Sequence, residues 1–320
     1  MTADAARPSP RRVGFLGPEG TFTEQALLSQ VDLAGEELVP MGTFAEVLAA
    51  VDSGELDLGF VGIENSIEGT VTVTIDALAL EHDLLIQREV VIGIQLNLLA
   101  PAGVGLADIE RVHTFPVAAG QCRAWLARAL PGVEVVAANS NAEAARLVAE
   151  EADGRSAAVA PSLAAKIYGL DVLASDIEDH PENQTRFVLV GRDGIPAPTG
   201  HDKSTIVVFQ RTDKAGSLLA ILQEFAARSI NLTKLESRPT KKALGEYCFV
   251  IDLEGHLADA VVTDCLRTLR TKVADIKFLG SYPAAGDHGP TVRRDADEAA
   301  RAADEWIGGL RGKLRDQPDP

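Results

Sequence analysis

Cysteine is scarce. The chain has three, Cys122, Cys248 and Cys265, odd in number and far apart. That favours reduced, buried thiols in a cytoplasmic protein over a disulfide framework. No apolar run approaches the roughly 20 residues needed to cross a bilayer. Met1–Arg12 carries prolines and arginines without an apolar core, so neither a membrane contact nor a secretory leader is expected. The six histidines never fall at metal-ligand spacing with one another or with a cysteine, so no metal site is expected. Cations are scarce where the motifs lie: residues 13–200 hold 28 Asp and Glu against 9 Lys and Arg, a balance of −19. A field of that sign repels nucleic acid, whose binding depends on neutralising phosphates. It repels a small anionic ligand too unless local donors overcome it, which makes each cation near a motif a candidate.

What is present is the composition of a globular protein, 46% apolar and 24% charged over 320 residues, long enough for two or three domains. Val13–Leu16 reads as a strand ending in Gly17-Pro18-Glu19-Gly20-Thr21, and a helix follows from Thr21 or Thr23 to Gln30. Strand, glycine turn and helix start together can bind an anion through free N–H groups. The Gly-Lys-Ser/Thr ending of a phosphate loop is missing, and so is a dinucleotide fingerprint. A plain strand-to-helix turn explains the same residues. Glu37–Pro40 is a second strand, with a helix from Thr43 behind it. Leu58–Ile63 is a buried strand whose carboxyl end carries Glu64-Asn65-Ser66-Ile67-Glu68-Gly69. Ligands of open α/β sheets bind at such ends. Asn65 and Ser66 also suit a capped turn before a helix from about Val71.

Leu84–Leu99 is nearly continuous strand material. Strand and helix then alternate: Arg111–Thr114 and Val117–Leu130, Glu134–Ala137 and Asn141–Glu151, Ala157–Ala160 and Ser162–Tyr168. Two βα clusters joined by long strands predict two lobes with a cleft. The first lobe spans about 13–90 and 175–192, the second about 91–174. The return carries Asn183-Gln184-Thr185-Arg186-Phe187, a hydroxyl beside a permanent cation, into the strand Phe187–Val190 closed by Gly191. A strand start and a surface ion pair explain the same two residues.

Residues 191–203 have a linker composition. Residues 204–283, with a balance of +2, follow the order βαββαβ, the split ferredoxin-like pattern. Beyond Pro283 the chain is polar, with one helix expected around 294–314 carrying Trp306, Ile307 and Leu310, packed on the body or partly disordered.

Gly17-Pro18-Glu19-Gly20-Thr21-Phe22, Glu64-Asn65-Ser66 with Gly69, and Asn183 through Phe187 together resemble the prephenate dehydratase family. Glu236-Ser237-Arg238-Pro239 resembles the ACT regulatory domain that monofunctional members carry. The resemblance covers about 13–283 and implies an α/β fold. A two-lobed, periplasmic-binding-protein-like catalytic domain occupies 13–192, an ACT domain 204–283 and a tail 284–320. Departures are Phe115-Pro116-Val117 where the family often has His-Pro-Gln, Asn141 for threonine, Gly62 for proline, Gly216-Ser217-Leu218-Leu219 for Gly-Ala-Leu-Val, and Ser229 for glycine. A non-glycine at 229 costs about 1 kcal/mol if its backbone is left-handed.

The resemblance implies conversion of prephenate to phenylpyruvate with loss of carbon dioxide and water, a step toward phenylalanine. Aromatisation drives it, so no cofactor is implied. Thr185 would donate a hydrogen bond or proton to the leaving hydroxide. Arg186 would either clamp a carboxylate or brace the loop. Asn65, Ser66, Gly20, Thr21 and, from the second lobe, Ser162 would supply neutral donors. Phe187 sits beside them, more suited to packing than to contact. The ACT resemblance implies L-phenylalanine as effector, held by Gly216, Ser217, Leu218, Leu219, Asn231 and Leu232 with Glu236 and Ser237 nearby, in a homodimer or homotetramer. A non-catalytic two-lobed sensor and an arogenate-preferring enzyme are the rival readings.

Overall fold

Period-two and period-3.6 apolar patterns alternate through the first half and build two sheets. The structure, a computed structural model, describes residues 10–210, 214–243, 245–286, 301–302 and 305–311. It divides into two compact units, one of residues up to Leu84 with Glu89–Asp193, the other of Leu85–Arg88 with Gly194 onward.

In the first unit the chain runs β1 (Arg12–Leu16), α1 (Phe22–Leu28), β2 (Glu37–Met41), α2 (Phe44–Ser53), β3 (Leu58–Asn65), β4 (Gly69–Thr70), α3 (Thr72–Asp76) and β5 (Leu85–Gly93). It continues with β6 (Asn97–Ala100), β7 (Arg111–Thr114), α4 (Pro116–Gln121), α5 (Arg123–Ala129), β8 (Glu134–Ala137), α6 (Asn141–Glu151), β9 (Ser156–Ala160), α7 (Ser162–Tyr168), β10 (Asp171–Ala174) and β11 (Gln184–Gly191). One sheet has the order β2-β1-β3-β11-β5 and the other β8-β7-β9-β6-β10. The pattern is the same twice. In each, the first three strands are parallel and the fourth is antiparallel to the third. The loops after β1 and β3, and after β7 and β9, therefore share the carboxyl edges of their sheets, where α/β sheets take ligands.

The helices start alike. Thr21, Thr43 and Ser140 accept from the N–H three residues on, at Glu24, Glu46 and Glu143. Each glutamate reaches back to the N–H of Gly20, Gly42 or Asn139. These reciprocal caps satisfy orphan donors and fix where each loop ends.

Three expectations change. The Val117–Leu130 helix breaks at Cys122 (φ −113°, ψ 12°), and the Asp179 carboxylate accepts from Ala124 N at 2.9 Å and Trp125 N at 3.2 Å to start α5 afresh. The Leu84–Leu99 run parts between β5 and β6 because Ile94 N donates to Asn183 O (2.8 Å) and Leu96 N to the Glu178 carboxylate (2.8 Å). Asn65 does not cap the helix after Val71. It closes the β3–β4 turn, accepting from Ile67 N and Glu68 N at 2.9 Å each.

The second unit holds β12 (Asp202–Phe209), α8 (Ser217–Ala226), β13 (Leu232–Pro239), β14 (Tyr247–Glu254), α9 (Ala260–Lys272) and β15 (Asp275–Pro283), in sheet order β13-β14-β12-β15. Its core joins Ile206, Val208, Phe249 and Ile251 of the sheet to Phe225, Val262 and Leu269 of the helices. Ser229 has φ +54°, the left-handed backbone for which glycine is the unstrained residue. Trp306, Ile307 and Leu310, on helical residues 305–311, are exposed rather than packed. Apart from 301–302, the rest of the expected 294–314 helix lies outside the described residues. Among the described residues no helix is long and apolar enough to cross a membrane.

Candidate active site

β11 lies antiparallel to β3, with Thr185 opposite Asn65 and Arg186 opposite Glu64. Between Arg186 and Phe187 the register slips, Phe187 facing Gly62, so Ile63 is an extra residue on β3. Such a bulge re-aims the side chains beside it. Below it Phe187 is 3% exposed and stacks on Phe60, centroids 5.4 Å apart. Phe187 is thus a core residue that anchors the strand, not a surface for ligand. Above it Thr185 and Arg186 are half-buried at the sheet edge.

Asn65 is the hub. Its Oδ1 accepts from two backbone N–H groups, which can only donate, so the amide's orientation is fixed by its partners. Nδ2 then faces Asn183 Oδ1 (2.9 Å), Gln184 O (3.1 Å) and Thr185 Oγ1 (2.8 Å). Gln184 O can only accept, which checks the assignment independently. Thr185 Oγ1 therefore receives a hydrogen bond, and its own proton is left to point elsewhere. Among the described residues no group accepts that proton. The arrangement converts a hydroxyl that could do either into a donor. Asn65 is correspondingly occupied with the protein at both ends of its amide.

Asn183 is 1% exposed and its Nδ2 donates to Gln121 Oε1 at 3.1 Å. Gln121, at the end of α4, belongs to the second sheet's layer, so this chain of amides ties one lobe's helix to the Thr185 hydroxyl of the other. Ser66 Oγ accepts from Gln184 N at 2.9 Å and can donate outward, as Thr185 does. Ser162 opens α7 and is exposed.

Arg186 is held between two acids. Nε lies 2.6 Å from Glu89 Oε2, a charge contact rather than an aligned hydrogen bond, and Nη1 lies 3.3 Å from Glu64 Oε2. The Glu89 side chain is 1% exposed and that of Arg186 10%. Breaking a buried pair of this kind costs about 3–5 kcal/mol, so Arg186 is a brace before it is anything else.

The β1–α1 loop, which turns through a cis Gly17–Pro18 peptide, is tightly committed. Thr21 Oγ1 donates to Leu16 O at 2.9 Å while accepting from Glu24 N. Gly20 N donates to Glu24 Oε2 at 2.5 Å. Burial pushes the Glu24 carboxyl above its ordinary range, opposed by the Gly20 N–H and reinforced by Glu19. Gly20 has φ +89°, and a Cβ on it would come 3.2 Å from Ala164 Cα and 3.3 Å from Tyr168 Cε2. Tyr168 OH donates to Glu19 O at 2.8 Å. Helix α7 of the second lobe thus seats on this loop.

Sequence reasoning placed Thr185, Asn65 and Ser66 together, and they do converge. Gly20 and Thr21 lie in the loop after β1 and Ser162 at the first position of α7 after β9, both at carboxyl edges. Gln121, Asn183, Glu89 and Tyr168 were not singled out as site residues. Only long-range contacts reveal them, although Asn183 stands two residues from Thr185. Among the described residues no cluster of His, Cys, Asp and Glu is suited to a metal ion.

In the second unit Gly216 takes φ +86° at the start of α8, and Leu219 is 58% exposed. Asn231 Nδ2 donates to Glu254 Oε1 at 3.0 Å, and Glu236 lies 3.6 Å from Lys234 and 3.5 Å from Arg238. Register separates these groups. Leu232 pairs with Leu253 near the start of β12, whereas α8 follows its far end, where Phe209 pairs with Cys248. A single copy does not bring Gly216–Leu219 and Asn231–Leu232 together.

Comparison with known proteins agrees with this geometry. The sequence profile of prephenate dehydratase matches residues 13–195 and that of the ACT domain residues 204–271. A prephenate dehydratase of Mycolicibacterium vanbaalenii is 43% identical, covering 93% of this chain and 98% of that protein. One of Mycobacterium leprae is 44% identical, covering 97% of each. The crystal structure of the Arthrobacter aurescens prephenate dehydratase in complex with L-Phe has a TM-score of 0.85 at 40% identity, covering 94% of this chain and 99% of that one. A structure described as GqqA, a quorum-quenching acylase, has a TM-score of 0.78 at 32% identity, covering 86% and 98%. By its sequence, its fold and the residues at its sheet edge, the chain belongs to the prephenate dehydratase family.

Proposed function

We infer that the protein converts prephenate to phenylpyruvate, with L-phenylalanine acting through the ACT domain. The carrying observation is the fixed Asn65 amide, which leaves the Thr185 proton free to donate. In the reaction the bond to the ring carboxylate breaks, its electron pair enters the ring, and the hydroxyl para to it departs as the ring becomes aromatic. One proton from solvent completes the water that leaves. Thr185 donates a hydrogen bond to the departing oxygen. Threonine is too weak an acid for unaided transfer, so its contribution is a pre-oriented dipole aimed at the departing oxygen. Ser66 and Ser162 supply neutral donors for the substrate carboxylates, and Arg186, braced by Glu89 and Glu64, fixes the Thr185 strand. Gly20 and Thr21 hold the loop that α7 seats on.

Amide hydrolysis, the activity in the acylase's name, would need a base to take a proton from the nucleophile. The described partners of Thr185 and Ser66 are N–H donors, which oppose that chemistry. A cytoplasmic location is supported by the free, buried Cys122, Cys248 and Cys265. A homo-oligomer is supported by two features: the halves of the effector motif lie at opposite ends of the sheet, and β13 is an edge strand with Leu235 43% exposed. Pairing two copies would bring the halves together.

The test is to supply prephenate and follow phenylpyruvate, with L-phenylalanine binding measured in parallel. Turnover that L-phenylalanine alters is the expected result. Saturable L-phenylalanine binding without turnover of prephenate would support a sensor instead. Faster turnover of arogenate would reassign the substrate.

A further inference from the structure

Strand β5 belongs to both units. Leu85–Arg88 fold with the C-terminal unit and Glu89–Gly93 with the N-terminal one. The first half is held at a glycine. On β15 the register against β12 slips, Gly280 facing Thr205 and Phe278 facing Ile206, so Leu279 is extra. Gly280 takes φ +141° there. A Cβ on it would overlap Ile86 O and lie 3.0 Å from Ile86 N and 3.1 Å from Ile86 C. Ile86 is fully buried. This is backbone against backbone, with no side chain able to yield, so displacement on one side is passed to the other.

Three residues along the same strand, about 10 Å at strand rise, stands Glu89. Its carboxylate is the 2.6 Å partner of Arg186, the neighbour of Thr185. Arg186 has a second acid in Glu64, at 3.3 Å on Nη1. Arg186 thus lies between Glu89 on β5 and Glu64 on β3, so a shift of β5 would change how it is shared between them. Coupling between distant sites needs a two-state element that both sites bias.

We propose that β5 is the coupling element between effector and active site. Occupancy of the regulatory unit displaces β15, the Gly280–Ile86 contact passes the displacement into β5, and Glu89 changes its hold on Arg186. This rests on the reading that L-phenylalanine regulates the enzyme.

The test uses the full chain and the variant Gly280→Ala, whose methyl must push Ile86 away. The readout is the ratio of kcat/KM without and with saturating L-phenylalanine, together with calorimetric binding of L-phenylalanine. In the wild type the ratio should depart from unity by about 5- to 150-fold, the usual range of allosteric coupling. In Gly280→Ala it should collapse to within about twofold of unity, with saturable L-phenylalanine binding retained. A wild-type ratio in a folded, effector-binding Gly280→Ala would overturn the proposal. Should that variant fail to fold, hydrogen exchange on the wild type decides. Amides 85–90 should change exchange rate by about threefold or more when L-phenylalanine binds, and unchanged rates there would overturn it. Absence of L-phenylalanine binding to the wild type would remove the regulatory reading itself, and this proposal with it.

Discussion

Asn65→Asp should silence the enzyme while leaving most of the fold in place. The substitution is isosteric and keeps Oδ1, with its two N–H donors from Ile67 and Glu68. It replaces Nδ2, which now faces Asn183 Oδ1, Gln184 O and Thr185 Oγ1, by an anionic oxygen. Asn183 and Gln121 can turn their amides together and present a donor only by giving up the Gln121 Nε2 contact to Glu68 Oε1 at 3.4 Å. Gln184 O cannot. Gln184 O keeps the hydrogen bond from Ser66 N (2.9 Å) but is left facing an anionic oxygen. Thr185 can also adapt, but only by giving its proton to the introduced carboxylate, away from the substrate. Loss of a pre-oriented donor at developing negative charge lowers kcat about 10²- to 10³-fold. Asn65→Ala frees the hydroxyl without inverting it, and about tenfold is expected, roughly 1.4 kcal/mol. The assay is phenylpyruvate formation at saturating prephenate, with circular dichroism and thermal melts to confirm folding. An Asn65→Asp enzyme that is folded and as active as Asn65→Ala would refute the orientation argument.

Glu89→Gln should lower stability by about 3 kcal/mol in a denaturant titration, and by several times more than Glu64→Gln, because the Glu64 side chain is 38% exposed and that of Glu89 1%. Glu24, whose carboxyl is raised chiefly by burial, holds its proton longer folded than unfolded, so wild-type stability falls as pH rises from about 4.5 through its folded value. Glu24→Gln lacks that fall. The melting temperature of the variant relative to wild type should rise across that window, and a constant difference would contradict it. Burial pushes the Cys122 thiol up to about 12, with Asp179 and Glu178 adding, and the Cys265 thiol up to about 11. Native protein at neutral pH should therefore resist iodoacetamide at both positions, and mass spectrometry should find them labelled only after unfolding.

Much of this was legible in the residues. Phe187–Val190 closed by Gly191 announces a buried strand, and that alone puts Thr185 and Arg186 at a sheet edge. The Glu64–Gly69 loop is polar at the end of an apolar run, which marks a carboxyl edge. What could not be read is register. The bulge between Arg186 and Phe187 is what sets Thr185 opposite Asn65, and no local pattern signals it. The choice of Glu89 as partner of Arg186 joins strands far apart in sequence. The break at Cys122 depends on Asp179, again distant, capping a helix that by propensity should continue. Leu84–Leu99 reads as strand material joining the two lobes, and that Leu85–Arg88 fold with the C-terminal unit is not legible, because periodicity reports burial and not which unit supplies it.

The role of Thr185 is tested most directly by kcat for Thr185→Val beside Thr185→Ser. Valine keeps the shape and removes the donor, whereas serine keeps the donor. A fall of about 10²- to 10³-fold in Thr185→Val, with KM little changed and Thr185→Ser within about tenfold of wild type, is the expected outcome. A folded Thr185→Val enzyme turning over prephenate at the wild-type rate would contradict it.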